Sequence, residues 1–218
     1  MRSAIVIIAA GIVLSGCGSF NNAIVHKHKT VEYYRIFDIK TNADRSTVAE
    51  AASNGLGRNV RSANEATPIP NFSEPPEKPG RFKIVSPLAG TRFEQMAAMG
   101  GGSGLGLKTA SCDGAVWTAR ADRTIEGDSQ LLLSICLWQY KEGYHLDAYA
   151  TFSKTEGGVM QISRSLASAM VGTSEEWTEK TFLDIVRSIH KATGAEITYL
   201  EGYPKLSGTP WLDPLDKM

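Results

Sequence analysis

The sequence has no excess of charge of either sign, and its N-terminal apolar run is too short to cross a membrane. Lysine and arginine total 23, aspartate and glutamate also total 23, and the formal net charge is zero. Nucleic-acid binding through phosphate contacts needs clustered positive charge, so we expect no nucleic-acid partner. The apolar run at residues 4–14 would be roughly 17 Å long as a helix, about half of a membrane's hydrocarbon core.

Histidine is scarce, and the common catalytic and nucleotide motifs are missing. There are four histidines and no Gly-x-Ser-x-Gly motif. His26 and His28 could share an ion, but two ligands beside two lysines make a weak site, and a solvated tether is favoured. In the glycine-rich stretch, Leu107 separates the last glycine from Lys108, which departs from the nucleotide-binding loop. The sequence therefore predicts no metal, no cofactor and no nucleotide ligand.

The N-terminus is typical of an exported protein. Arg2 precedes the apolar run, and a polar segment follows it, as in a cleaved secretory signal. Between them, Leu14-Ser15-Gly16-Cys17 resembles the lipobox of bacterial lipoproteins. The resemblance implies that diacylglycerol is attached to the Cys17 thiol, that residues 1–16 are removed and that acyl chains anchor the protein in a lipid bilayer.

The same resemblance predicts a location. Family members in which the cysteine is not followed by aspartate tend to reach the outer membrane, and Gly18 follows here. We therefore expect a lipid-anchored protein of the cell envelope, at the outer membrane and facing the periplasm. The alternative is a buried cysteine in an apolar helix, which Gly16 and Gly18 disfavour because glycine is a poor helix former.

Two cysteines remain once Cys17 is assigned to the lipid. Cys112 and Cys136 lie in or beside strand-like segments, and exported proteins meet an oxidising environment. The sequence therefore predicts a Cys112–Cys136 disulfide, with two separate buried thiols as the alternative. A redox-active pair is disfavoured because the Cys-x-x-Cys spacing is absent.

Three strand-like runs, at 115–123, 130–140 and 144–153, predict an antiparallel meander. With residues 141–143 as a three-residue turn, Tyr140 would lie opposite Tyr144. The middle run is apolar on both faces, which is typical of a central strand covered by helices on one side.

Helical patterns flank the predicted meander. Residues 46–52 form a short helical pattern that glycines end, and 91–99 form another. Thr173 and Glu176 form a capping box before an apolar stripe with helical spacing, which ends at Gly194. Further strands are expected at 31–39, 82–85 and 196–200, and 159–171 fits either a helix or a strand.

These elements predict the domain organisation. A tether spans 17–29, and a single α+β domain spans 30–205, with an antiparallel sheet packed against two or more helices. A proline-rich loop lies at about 62–80, and an irregular tail covers 206–218.

No catalytic constellation accompanies this organisation. His145 and Asp147 share one face of a predicted strand, which could orient an imidazole for general-base work, but a polar pair on a half-exposed sheet is favoured. Trp117 and Trp138 are expected in the core, although an exposed tryptophan could stack on a sugar. We expect a non-enzymatic structural, adaptor or assembly component that contacts envelope proteins. The alternative is a periplasmic protein or enzyme that binds cell-wall glycan.

Overall fold

The computed structural model describes residues 27–69, 74–86, 90–91, 108–125, 129–156 and 173–205. The lipobox, most of the predicted tether, residues 92–99 of a predicted helix, the ambiguous segment 159–171 and the tail 206–218 lie outside these residues.

The described residues form an α+β fold, as the sequence predicts. The elements in chain order are β1 (Lys27–Lys40), α1 (Arg45–Leu56), β2 (Asn64–Ala66), β3 (Lys83–Val85), β4 (Thr109–Ser111), β5 (Trp117–Ile125), β6 (Ser129–Tyr140), β7 (Gly143–Glu156), α2 (Ser174–Thr193) and β8 (Glu196–Tyr203).

Six of these strands form one antiparallel sheet in the order β2-β5-β6-β7-β1-β8. Strands β5, β6 and β7 are the predicted meander, and β6 and β7 lie at the centre of the six-stranded sheet. The first strand, β1, lies between β7 and the last strand, β8. Strands β3 and β4 form a separate two-stranded antiparallel sheet.

Both helices contribute to the larger hydrophobic core on one face of the six-stranded sheet, which we call the helix face. Helix α2 begins at the predicted capping box, where Thr173 and Glu176 each accept a hydrogen bond from the other's backbone amide. It ends at Gly194, whose φ of 65° suits a residue without a Cβ. The two helices approach closely at Gly55, where a Cβ would lie 2.5 Å from the Ile185 Cα.

The opposite face, which we call the covered face, packs against a smaller core. Phe82, just before β3, and Ala110 in β4 lie there against Cys136 and Trp138 of β6. The predicted disulfide is present and joins Cys112, just after β4, to Cys136. Strand β6 is therefore buried on both sides, by the helices and by the segments around β3 and β4.

The register between β6 and β7 differs from the predicted one by a residue. Tyr140 lies opposite Gly143, and Tyr144 lies opposite Gln139, because only residues 141 and 142 form the turn. Gly143 belongs to β7, and a Cβ there would lie 2.1 Å from the Ile39 carbonyl oxygen, so close packing against β1 requires this glycine.

The shift by one residue exchanges the faces, because side chains alternate along a strand. Leu137 and Leu146 lie opposite each other on the helix face. With Tyr140 opposite Tyr144, Trp138 would have faced Leu146; it instead lies opposite His145 on the covered face, so the predicted register is wrong.

Two boundaries also differ from prediction. Strand β1 begins at Lys27, inside the predicted tether of 17–29, and β2 forms within the predicted proline-rich loop. None of the helices within the described residues has the length and apolar character needed to cross a membrane.

Candidate functional site

The predicted polar pair, His145 and Asp147, comes together on the covered face of β7. His145 Nδ1 lies 3.1 Å from Asp147 Oδ1, although the approach lacks hydrogen-bond geometry. The Asp147 carboxylate is fully buried, and its Oδ2 accepts a hydrogen bond from the Phe82 backbone amide at 3.0 Å. The carboxylate therefore holds the segment that covers this face of the sheet.

The surroundings of His145 are packed rather than open. Its exposed fraction is 8%, so the predicted half-exposed surface is wrong. Trp138, directly opposite on β6, donates its indole N–H to the Asp113 carbonyl oxygen at 3.1 Å. Gly80 lies against the same indole, where a Cβ would be 2.3 Å from the ring. A substrate would have to displace this packing to reach the imidazole.

A second buried polar cluster lies on the helix face around Arg35. Its side chain is fully buried and pairs with Glu179 of α2 at 2.9 Å. It also donates to the backbone carbonyls of Tyr34 at 2.8 Å and Pro204 at 3.0 Å. The Tyr33 hydroxyl donates to Glu179, and burial together with this hydrogen bond raises the Tyr33 pKa.

This Arg35 cluster joins β1, α2 and the residue after β8. The guanidinium group donates hydrogen bonds to several protein groups at once, including Glu179 and the Tyr33 hydroxyl. The cluster therefore holds these structural elements together, and its donors are not left available for a substrate. Sequence reasoning missed it, since Arg35 and Glu179 are 144 positions apart.

Sequence reasoning also missed a concave surface formed by the described residues. A groove of about 590 Å³ lies where the segment after α1, strands β5 and β6, and α2 meet. Its lining comprises Asn59, Val60, Arg61, Ser62, Ala121, Asp122, Arg123, Leu131 and Trp177. We call it the Trp177 groove.

Arg123 and Trp177 form one wall of the groove. The Arg123 guanidinium carbon lies 4.8 Å from the centre of the indole ring, a cation–π arrangement. Trp177 is partly exposed and also packs against the larger core. The ring is thus held in place by the fold while part of it stays accessible.

Another part of the groove lining is fixed by hydrogen bonds at Asn59. Its side chain accepts from Lys180 at 2.8 Å and donates to Asp184 at 2.8 Å. Burial by itself would raise the Asp184 pKa, but the hydrogen bonds from Lys180 and Asn59 outweigh it, and this pKa lies below its ordinary value. Asp184 thus stays charged at neutral pH and holds α2 to the segment that follows α1.

A smaller cavity of about 460 Å³ adjoins this groove and shares Val60 and Arg61 with it. Arg58 and Glu65 also line it. Both Glu65 carboxylate oxygens are occupied, one by the Ser53 hydroxyl and the other by the Trp117 indole N–H. Neither cavity includes His145 or Asp147.

The tryptophans in the described part of the chain differ in burial. Trp117 and Trp138 are buried in the sheet, as predicted, and Trp177 is the accessible one. Trp211 lies outside the described residues.

No protein-family model and no curated protein sequence matches this chain. Within the described ranges, no three histidine, cysteine, aspartate or glutamate side chains lie close enough to hold a metal ion.

Proposed function

We propose that the protein is a lipid-anchored component of the bacterial cell envelope that acts without catalysis, as a structural, adaptor or assembly component. The observation that carries the proposal is the lipobox-like sequence ending at Cys17. Acyl chains on that cysteine would hold the protein at a bilayer, at the outer membrane and facing the periplasm. The Cys112–Cys136 disulfide agrees with an oxidising compartment.

The distance from the lipid to the folded domain supports a role near the membrane surface. Strand β1 begins at Lys27, so about ten residues separate it from Cys17. Even fully extended, ten residues reach roughly 35 Å. The domain would therefore stay close to the membrane and meet partners that are themselves envelope components.

The geometry around His145 favours a non-enzymatic role. The imidazole and the Asp147 carboxylate are buried under the covering segment and line neither cavity. General-base catalysis needs a base within reach of a bound substrate. The pair instead supports the covered face.

The anchor is tested by fractionating cells that express Cys17→Ala. We expect the variant to leave the membrane fraction and to lose label from radioactive palmitate. Gly18→Asp serves as the matched control, because it should keep the lipid while moving protein towards the inner membrane. Unchanged membrane association of Cys17→Ala would refute the anchor.

The adaptor role is tested by cross-linking in intact cells followed by mass spectrometry. We expect specific envelope proteins to be captured with the native protein and reduced capture with Cys17→Ala. Recovery of a bound glycan without any protein partner would contradict the adaptor role and favour the second candidate, a glycan-binding protein. The observation that favours this candidate is the accessible Trp177 beside two arginines.

A further inference from the structure

We propose that the Trp177 groove binds an acidic saccharide, one that carries a carboxylate or a phosphate group. The source of the ligand rests on the proposed envelope location, whereas the binding site rests on the residues that line the groove. A volume of about 590 Å³ lies within the range of roughly 300–1,000 Å³ that is usual for small-molecule sites.

Arginines without a direct ion pair lie in and beside the groove. Arg61 and Arg123 line the groove, and Arg58 lines the adjoining cavity. Within the part of the chain that the structure describes, none of these three guanidinium groups forms an ion pair with a carboxylate. Arginine presents a planar set of N–H donors that matches a carboxylate or phosphate in a bidentate manner.

The nearby acidic groups cancel only part of this charge. Glu65 lines the adjoining cavity and accepts hydrogen bonds from Ser53 and Trp117. Asp122 is exposed and lines the groove without an ion pair to a described residue. Arg58, Arg61 and Arg123 against Glu65 and Asp122 leave one net positive charge among these lining residues, although the whole chain has zero net charge. The attraction is therefore local to this site.

The apolar part of the groove argues for a ring-shaped ligand. Trp177 contributes a partly exposed indole, and Leu131 and Ala121 contribute aliphatic surface beside it. A pyranose has C–H groups that pack against such surfaces and hydroxyls that need polar partners. Ser62 and Asp122 supply such partners in the same lining. A free inorganic anion would use the arginines and leave the aromatic wall unused.

The position of Arg123 links the two parts of the site. Its guanidinium lies 4.8 Å from the centre of the Trp177 ring, so the aromatic wall restrains the cation. A restrained donor loses less side-chain freedom when it binds an anion. The acid group and the sugar ring would thus be recognised by neighbouring side chains.

Calorimetric titration of the purified protein in detergent tests this site. The probes are a muropeptide, which carries carboxylates, glucose 1-phosphate, and chitotetraose as a neutral sugar. We expect at least one acidic probe to bind about tenfold more tightly than chitotetraose, since one bidentate arginine contact contributes on this scale. The acidic probe that binds identifies carboxylate or phosphate as the natural group.

Two charge-removing variants and one matched control locate the site. Arg61→Gln and Arg123→Gln should each weaken binding by about tenfold. Lys191→Gln removes a charge from the exposed surface of the same helix, roughly 20 Å along α2 from Trp177, and should change affinity by less than about twofold. Arg61 is exposed, so its variant stays informative even where Arg123→Gln impairs folding.

Several outcomes would overturn the proposal. These are the absence of binding by both acidic probes at millimolar concentration, equal binding of chitotetraose, or unchanged affinity in Arg61→Gln and Arg123→Gln. Each is independent of the anchor, because membrane release of Cys17→Ala is measured in cells and probe binding is measured on purified protein. Failure of one proposal is therefore distinguishable from failure of the other.

Discussion

Replacement of Gly55 by alanine tests how closely the two helices pack. Alanine normally stabilises the interior of a helix by roughly 0.5–1 kcal/mol relative to glycine. At this position the added Cβ would lie 2.5 Å from the Ile185 Cα and 2.6 Å from the Asp184 carbonyl oxygen. Both are backbone atoms, so no side-chain rotation relieves the contact, and α1 must move away from α2.

The size of the effect follows from that displacement. Ordinary Cβ contacts are 3.4–4 Å, so the helices must separate locally by roughly 1 Å. Overpacking of this kind costs about 1–3 kcal/mol, which exceeds the gain from helix propensity. We expect Gly55→Ala to lower the free energy of unfolding by about 1–2 kcal/mol.

Equilibrium urea unfolding followed by circular dichroism measures this change. Gly57→Ala is the matched control, because Gly57 has a helical φ of −60° and the nearest atom to its added Cβ is 3.4 Å away. We expect that control to be neutral or slightly stabilising. A Gly55→Ala protein as stable as the parent would refute the close helix crossing.

Three further predictions concern stability. The double variant Cys112→Ser, Cys136→Ser should have a free energy of unfolding roughly 3 kcal/mol lower, because the disulfide joins residues 24 positions apart. Added reductant should lower the unfolding midpoint of the parent protein and leave that of the double variant unchanged. Arg35→Met should cost about 3 kcal/mol, more than Glu179→Gln, because methionine leaves the Tyr34 and Pro204 carbonyls without the donor they now have, whereas glutamine keeps an oxygen that accepts from Arg35. Equal losses in urea titrations would contradict this ranking. Burial, together with nearby Asp44, raises the Tyr144 pKa from 10.0 to about 12, so its contribution of roughly 3 kcal/mol is present below pH 10 and is lost as pH rises through 12. Tyr144→Phe should make the loss of stability in that window smaller by this amount, while other tyrosines with raised pKa values, such as Tyr33 and Tyr149, still contribute to it. An unchanged alkaline transition would count against the shift.

Short sequence patterns correctly predicted α2 and the meander, which are specified by residues close together in the chain. The capping box at Thr173, the apolar spacing through Ile189 and the closing Gly194 predicted α2 because each signal acts within a few residues. The meander was equally visible, since turn residues separate three apolar runs.

Features that depend on contacts between distant parts of the chain were harder to predict from the sequence. Gly143 reads as a turn residue, yet its reason is close packing against Ile39, more than 100 positions earlier, and this reversed the predicted faces of β7. Strand β2 has three exposed residues and no apolar alternation, so nothing marks it as a strand.

The candidate site was only partly predictable for the same reason. His145 and Asp147 are two residues apart on one strand, which makes their proximity a local property. Arg61, Arg123 and Trp177 come from three separate elements and meet only when the sheet and α2 are assembled. Sequence spacing carries no information about such a meeting.

The place of β1 in the sheet has a consequence for how the chain acquires its structure. As synthesis proceeds from the N-terminus, β1 is made first, but its neighbours β7 and β8 follow roughly 100 residues later or more. In the folded sheet β1 lies between these two late strands, so it lacks its native partners until they are synthesised. For the export proposed above, such delayed closure would help to keep the polypeptide unfolded until it has crossed the membrane.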